Sequence, residues 1–295
     1  MFLLRLPRLA DGACLSPILL VASICSHPSP ARAGEGDAAS LVQSAPAAAI
    51  DPFHELGTKY IFGFTEGSDI EAEGEKAIEF ENTPTQFLQY ELSAHGLLQS
   101  VNNVDGLDNF HNFNFSGLSA EFRFLLLGLG PDSPIGLTFV VEPEWARVDG
   151  VSGALTRDFS TTFKLVADTE LIPNRLYAAA NLIYTPDFVR EYGATDWQQS
   201  SELGMTAAVA YRIAPTVTLG GELQYYRAFD GLGMQSFLGN ALYIGPTLHI
   251  QFSNKVMLAA AFSTEISGHA AGEGRSLDLT NFQRNLANLK LEIEF

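Results

Sequence analysis

The sequence predicts an all-β protein, a single transmembrane antiparallel β-barrel of about twelve strands preceded by a cleaved signal peptide. Three observations favour this fold class. Apolar and polar residues alternate with period two, as in strands with one apolar and one polar face. Many alternating segments run about ten residues or longer, which suits a tilted membrane strand better than a soluble one. Short turns alternate with longer, glycine- and acid-rich loops, an asymmetry typical of outer-membrane barrels.

Composition limits the possible partners. The chain has 295 residues, with 17 Lys and Arg against 34 Asp and Glu, and a formal net charge of -17. Nucleic acid is not expected as a partner, because its binding needs a basic surface. Aromatic residues make up 11% of the chain, which argues against a disordered acidic protein.

The first 33 residues read as a secretory signal. Arg5 and Arg8 form a basic start, residues 15–25 form an apolar run too short for a comfortable membrane helix, and residues 31–33 form a small-x-small cleavage site. Lipoprotein processing at Cys25 is disfavoured, because an isoleucine precedes it where that signal needs a small side chain. Both cysteines lie in this segment, so the mature chain is expected to have no disulfide and no thiolate chemistry.

The remaining chain divides into a flexible periplasmic leader, residues 34–56, and the barrel, residues 57–295. The leader is small, polar and proline-containing. The last strand shows the alternation most plainly, since Leu289, Leu291 and Ile293 alternate with charged residues. The twelve predicted strands lie near residues 57–66, 76–82, 85–100, 112–127, 135–147, 158–169, 175–186, 199–213, 217–229, 238–252, 256–267 and 282–295.

Two prolines and one acidic segment depart from the regular strand pattern. Pro143 and Pro246 fall inside predicted strands, where proline cannot donate to the ladder, so a bulge or a strand boundary is expected at each. The first long loop, near residues 67–75, has an acidic cluster that could hold a divalent cation through oxygen ligands. A solvated acidic loop is favoured, because the spacing of a calcium loop is absent. The cluster consists of Glu66, Asp69, Glu71, Glu73 and Glu75.

Aromatic residues collect at the strand ends on the apolar face, as in the two girdles of a membrane barrel. The loop-side set and then the turn-side set are Trp145, Tyr184, Trp197 and Tyr225, and Phe124, Tyr211, Phe252 and Phe295.

The ending Leu289-x-Leu291-x-Ile293-x-Phe295 resembles the terminal strand of Gram-negative outer-membrane proteins. Residues 62–82, 136–149 and 239–251 resemble an uncharacterised group of proteobacterial outer-membrane β-barrel proteins. The resemblance covers most of the mature chain and implies location in the cell outer membrane, in contact with its lipid. It also implies that Leu291, Ile293 and Phe295 act as a signal to the barrel assembly machinery, but it implies no activity.

Charged residues on the polar faces of the predicted strands are expected to line the lumen. They suggest a narrow passive channel for small hydrophilic or cationic solutes, because carboxylates outnumber bases. The alternative is a closed structural or surface-interaction barrel, since twelve strands lie between filled and open barrels. The candidate lining residues are Glu91, Glu121, Arg123, Glu142, Glu144, Lys164, Asp168, Arg212, Glu222, His249 and Glu265.

Catalysis has weak support in the sequence. A second alternative, an outer-membrane hydrolase acting on lipid or peptide, would rest on His111 and Ser116, but outer-membrane phospholipases use a tighter His-x-Ser-Asn-Gly run. The histidines are scattered without zinc-site spacing, and no glycine-rich phosphate loop opens a helix. No enzyme activity, metal or cofactor is therefore expected.

Overall fold

The computed structural model describes residues 59–64, 70–85, 87–102, 110–128, 133–149, 154–253 and 256–293. The predicted signal peptide and leader lie outside these residues. The described residues form twelve strands, which are β1 (Lys59–Phe64), β2 (Ile70–Thr85), β3 (Leu88–Asn102), β4 (Phe110–Leu127), β5 (Gly136–Val148), β6 (Leu155–Ile172), β7 (Leu176–Glu191), β8 (Gln198–Ala214), β9 (Val217–Asp230), β10 (Ser236–Ser253), β11 (Val256–Ala270) and β12 (Asn285–Ile293).

Each strand pairs antiparallel with its neighbours in the chain, and β1 also pairs with β12, which closes the sheet into a barrel. The all-β, antiparallel class that the sequence predicts is confirmed. Within the described residues there is no helix long and apolar enough to cross a bilayer.

Several strands, among them β2, β6 and β7, are longer than the sequence predicts. β2 begins at Ile70, so the predicted acidic loop over residues 67–75 is wrong from residue 70 onward, while residues 65–69 lie outside the described residues. Glu71, Glu73 and Glu75 are strand residues opposite Val101, Gln99 and Leu97. The reason is that glutamates alternate there with alanine and glycine. This is still a period of two, but it lacks the large apolar residues that mark the other strands.

Burial in the barrel is inverted relative to a soluble protein. In β8, Met205, Val209 and Ile213 are exposed to the outside, at 58%, 51% and 56%, whereas the alternating Thr206 and Ala208 are buried. The pattern recurs around the wall, with apolar side chains outside and polar ones inside. Exposed apolar surface on this scale marks a face that contacts lipid or protein.

Three of the prolines inside strands interrupt the ladder without shifting its register. Pro143, Pro186 and Pro246 keep regular partners on one side, in β6, β8 and β9. On the other side two successive pairs are missing, while the pairs before and after keep the same alignment. The expected bulge or boundary at Pro143 and Pro246 is therefore wrong: each strand continues in register, and the pairing is interrupted only beside the proline, which has no N–H to donate.

The connections define two ends of the barrel. Those at the turn end include the short connections after β6, β8 and β10. Those at the other end, called the loop end here, follow β1, β3, β5, β7, β9 and β11. The connection after β11, residues 271–284, is the longest, and residues Asp278 and Phe282 within it lie close to the inner wall.

An arginine at an outward position of β8 tests whether this face contacts lipid. Met205→Arg in the refolded protein is expected to lower the free energy of unfolding by about 2–4 kcal/mol, the cost of a cation near the middle of a bilayer. Chemical denaturation in phospholipid vesicles measures it. Met205→Leu, which conserves volume, is the control and should cost less than about 1.5 kcal/mol. Equal stability of the two variants would contradict a lipid-facing position.

Candidate functional site: the inner face of the barrel

Five of the predicted lining residues form one ion-pair network on the inner wall, called the charged cluster here: Glu91, Glu121, Arg123, Glu142 and Lys164. Arg123 pairs with Glu121 and lies 3.7 Å from Glu91, atom Nη2 to Oε2. The Lys164 ammonium lies 3.3 Å from Glu121 and 3.2 Å from Glu142. The cluster spans four adjacent strands, β3 to β6.

Strand register explains why these residues meet. Glu91 lies directly opposite Glu121, and two facing carboxylates repel each other unless a cation lies between them. Arg123, two residues along β4, supplies that cation on the same face. Lys164 reaches the other side of Glu121 from β6. The side chains of Glu121 and Arg123 are only 5% and 6% exposed, so each ion depends on its partners for compensation.

The other predicted residues of this half of the wall lie away from the cluster. Glu144 is half-buried and stands opposite Ser119 and Ser160, nearer the loop end. Asp168 is buried and stands opposite Gly136 and Ala179, nearer the turn end.

At the turn end, Arg212 and His249 both face Thr218, one from each neighbouring strand. The Arg212 guanidinium lies over the Tyr177 ring, 5.4 Å from its centroid, and His249 contacts the Met257 sulfur. Facing residues share one side of a sheet, and Thr218 is buried, so both predicted residues lie on the inner face.

The opposite part of the wall carries a hydrogen-bonded chain. Glu222, which is buried, accepts hydrogen bonds from Ser263 and from the Gln224 amide, the latter at 2.7 Å. The Tyr226 hydroxyl donates to Gln224 at 2.9 Å. Tyr226 also meets Tyr243 edge to face, with the ring centroids 6.3 Å apart. In the order of strands around the barrel, this part of the wall lies across from the charged cluster.

The connection after β11 folds against this inner wall. We call residues 271–284 the inner segment. The Asp278 amide donates to Glu265 at 2.7 Å, the Tyr243 hydroxyl donates to the Gln283 carbonyl, and the Phe282 ring stacks on Tyr226 with centroids 6.5 Å apart. Asp278 is fully buried and accepts bonds from Asn281. The segment therefore occupies part of the lumen near the loop end.

Two bulges position the anchors of the inner segment. Leu238 is the extra residue between β9 and β10, and its carbonyl accepts from the Ala271 amide at 2.7 Å and from the Asn281 amide group at 3.2 Å. Ile266 is the extra residue between β10 and β11, beside the glutamate that binds Asp278. Bulges redirect neighbouring groups in this way. At Gly239 a Cβ atom would collide with the Asp278 carboxylate, so the close approach needs glycine.

Several inner-face residues escaped the sequence analysis. Asp158, Asp187 and Glu202 continue the carboxylates of the wall toward the loop end, and the alternation of their strands was the signal that could have identified them. The same alternation places Tyr226 on the face of Glu222, whereas Asp278 lies in a connection and had no such signal. The structure also places His95 Nε2 2.9 Å from Ser119 Oγ, a pair that the register between β3 and β4 creates.

The two residues of the hydrolase hypothesis, His111 and Ser116, both lie on β4. Ser116 is buried and is the extra residue of a bulge between β3 and β4. His111 lies on the same strand, five residues away, with its backbone opposite Ser100. Within the described residues no group of three or more His, Cys, Asp or Glu side chains could hold a metal ion.

Of the predicted assembly signal, Leu291 stands opposite Leu258 and Ile293 opposite Val256 in the pairing of β12 with β11. Phe295 lies outside the described residues. The assembly role of the three residues stays a prediction.

These observations define the chain as an antiparallel β-barrel with an apolar outer face and a charged inner face. The chain belongs to a family of unknown function, DUF6662, which matches residues 69–295. The resemblance to an uncharacterised family that the sequence indicates is thus confirmed. No curated protein matches the chain.

Two solved structures are similar to the chain. One is a NanC porin in a rhombohedral crystal form, at 9% identity and a TM-score of 0.45, over 81% of this chain and 100% of that chain. The other is a loop L8 deletion mutant of OmpT, an outer membrane protein of Vibrio cholerae, at 9% identity and a TM-score of 0.33, over 80% of this chain and 95% of that chain.

Proposed function

We propose that the protein is an outer-membrane β-barrel of twelve membrane-spanning strands that acts as a narrow passive channel for small hydrophilic or cationic solutes. The observation that carries the proposal is the charge of the inner face. On the described strands of the inner wall, the bases are Arg123, Lys164 and Arg212. The carboxylates of the same strands outnumber them and include Glu91, Glu121, Glu142, Glu144, Asp158, Asp168, Asp187, Glu202, Glu222 and Glu265.

The outer face supports the membrane location. Its exposed apolar side chains, such as Leu182 and Met205, would be unfavourable in water and suit the hydrocarbon region. A closed barrel also leaves no unpaired edge, which the bilayer requires. Export by the predicted signal peptide and contact with outer-membrane lipid belong to the same proposal.

The path for solutes runs between two unlike walls. On one side lies the charged cluster, in which three carboxylates meet two cations. Across from it lie Glu222, Tyr226 and the inner segment. Carboxylates left in excess along such a path attract cations and repel anions, because the wall around them has a low dielectric constant.

Neutralising three loop-side carboxylates tests the channel. In planar bilayers, the mature chain of residues 34–295 is expected to give discrete conductance steps with potassium preferred over chloride. The variant Glu144→Gln, Asp158→Asn, Asp187→Asn should lower the permeability ratio toward one, because it removes three negative charges from the inner face. The measured quantity is the reversal potential in a salt gradient.

The matched control is Asp196→Asn, in the exposed connection after β7 at the same end, and it is compared with the single inner-face change Asp158→Asn. The control variant should keep the preference of the unmodified protein. If it lowers the ratio as much as Asp158→Asn does, surface charge sets the preference and the inner face does not.

A closed barrel is the second candidate, and the low exposure of Glu121 and Arg123 favours it. Insertion without conductance would support a closed barrel, whose loops would then be the working surface. A hydrolase would instead lose activity on lipid or peptide when His111 and Ser116 are replaced. We propose a channel without catalytic activity, metal or cofactor.

A further inference from the structure

Two arginines stand side by side on the outer face at the loop end. Arg157 in β6 lies directly opposite Arg190 in β7. The next outward position toward the turn end pairs Phe159 with Phe188, and the Phe159 ring lies 6.0 Å from the Trp197 ring. We call Arg157, Arg190 and these three aromatic residues the arginine patch.

Neither guanidinium group forms an ion pair in the part of the chain that the structure describes. Each lies over an aromatic ring instead: Arg190 is 4.6 Å from the Trp197 centroid and Arg157 is 5.7 Å from the Tyr192 centroid. Like charges directly opposite each other destabilise a strand pair. Two facing cations that form no ion pair there can together bind an anion from outside the chain.

The aromatic residues set the depth of the patch. Trp145 lies opposite Phe159 and Phe159 opposite Phe188, so an aromatic row crosses the outer face from β5 to β7, and Trp197 joins it through its contact with Phe159. Such rows mark the headgroup level of a membrane barrel. The arginines lie two residues further toward the loop end, which is about 7 Å along a strand. This position puts the guanidinium groups at the level of lipid phosphates.

We propose that the arginine patch binds the phosphate headgroup of an anionic lipid in the leaflet at the loop end, an inference that rests on the proposed membrane location. The planar guanidinium fork matches phosphate oxygens through paired hydrogen bonds. The exposed rings of Phe159 and Trp197 pack against the upper acyl chains of the same lipid. The bound anion also offsets the repulsion between the two arginines.

Tryptophan fluorescence provides a direct test, because the whole chain has two tryptophans, both in the aromatic row. In the Trp145→Phe variant, Trp197 is the single reporter. The protein is refolded in phosphatidylcholine vesicles that contain one brominated lipid. In one sample this lipid is phosphatidic acid and in the other it is phosphatidylcholine. The brominated acyl chains quench the fluorescence of a nearby indole. Phosphatidic acid is expected to bind beside Trp197 about tenfold more tightly than phosphatidylcholine.

The variant Arg157→Gln, Arg190→Gln should reduce this preference to about one. Its control is Arg175→Gln, Arg275→Gln, which makes the same charge change at exposed connection residues and should keep the preference. Heat-modifiable electrophoretic mobility first shows that each variant has folded and inserted. A barrel that fails to insert contradicts the proposed location, whereas an inserted barrel that quenches equally with both lipids overturns the patch alone.

Two further results would overturn the proposal. The first is a preference for phosphatidic acid that persists in the Arg157→Gln, Arg190→Gln variant, because another surface would then bind the lipid. The second is loss of the preference on adding millimolar inorganic phosphate, because the patch would then be a site for the free anion.

Discussion

Releasing the inner segment is expected to raise the single-channel conductance several-fold. Asp278 is fully buried, accepts bonds from Asn281, and donates its amide to Glu265. Replacing residues 272–282 with a short Gly-Ser linker removes the stacked Phe282 ring and all of these anchors, so the lumen beside Tyr226 widens. Conductance in planar bilayers measures the effect, and Asp278→Ala should give a smaller change in the same direction, with more frequent switching between levels.

Arg275→Ala is the control for this experiment, because its side chain in the same segment is 66% exposed and pairs only with Glu273 at 3.8 Å within the described residues. It should conduct as the unmodified protein does. Unchanged conductance in the linker variant would show that the inner segment does not limit the path. The inner segment would then be a structural lining of the wall.

Replacing Lys164 is expected to produce the largest loss of stability. Lys164→Met removes the cation between Glu121 and Glu142 and leaves two carboxylates close together in a poorly solvated part of the wall. Loss of one partner from a buried ion pair costs about 3–5 kcal/mol. Chemical denaturation of the refolded protein in detergent micelles, followed by the β-sheet circular dichroism signal, measures this cost.

A second substitution separates the charge from the packing. Adding Glu121→Gln to Lys164→Met should recover more than half of the loss, because the uncompensated carboxylate is removed while its shape is kept. Arg175→Met, which removes a base in the exposed connection after β6, should change stability by less than about 0.5 kcal/mol. Failure of the double variant to recover stability would show that the lysine acts through packing of its aliphatic stem.

The sequence determined which side chains face inward but not which of them touch. Alternation alone places Glu121 and Lys164 on the polar face of their strands. They are 43 residues apart, and only the pairing of β4 with β5 and of β5 with β6 brings their charged ends to 3.3 Å. Register depends on turns and bulges, and the composition of the chain does not reveal their geometry. The members of the charged cluster could therefore be predicted, but the ion pairs between them could not.

The inner segment was beyond sequence analysis for a different reason. Residues 268–281 are rich in small and polar residues, which predicts a long loop but does not indicate whether the loop folds inward. Their inward fold depends on the backbone carbonyl of Leu238 and on the bulge at Ile266, and a backbone group carries no sequence signal. The opposite error occurred at β2, where Glu71 and Glu73 were read as loop because charge outweighed the alternation.

The strand prolines have a consequence for the mechanics of the wall. A bulge at Pro143, Pro186 or Pro246 would have exchanged lipid-facing and interior-facing side chains along the rest of each strand. Interrupting the ladder while keeping its alignment avoids this exchange. We therefore expect the wall to deform most easily between β4 and β5, between β6 and β7, and between β10 and β11, where the pairing is interrupted. Such a deformation leaves each side chain on the same face of the barrel.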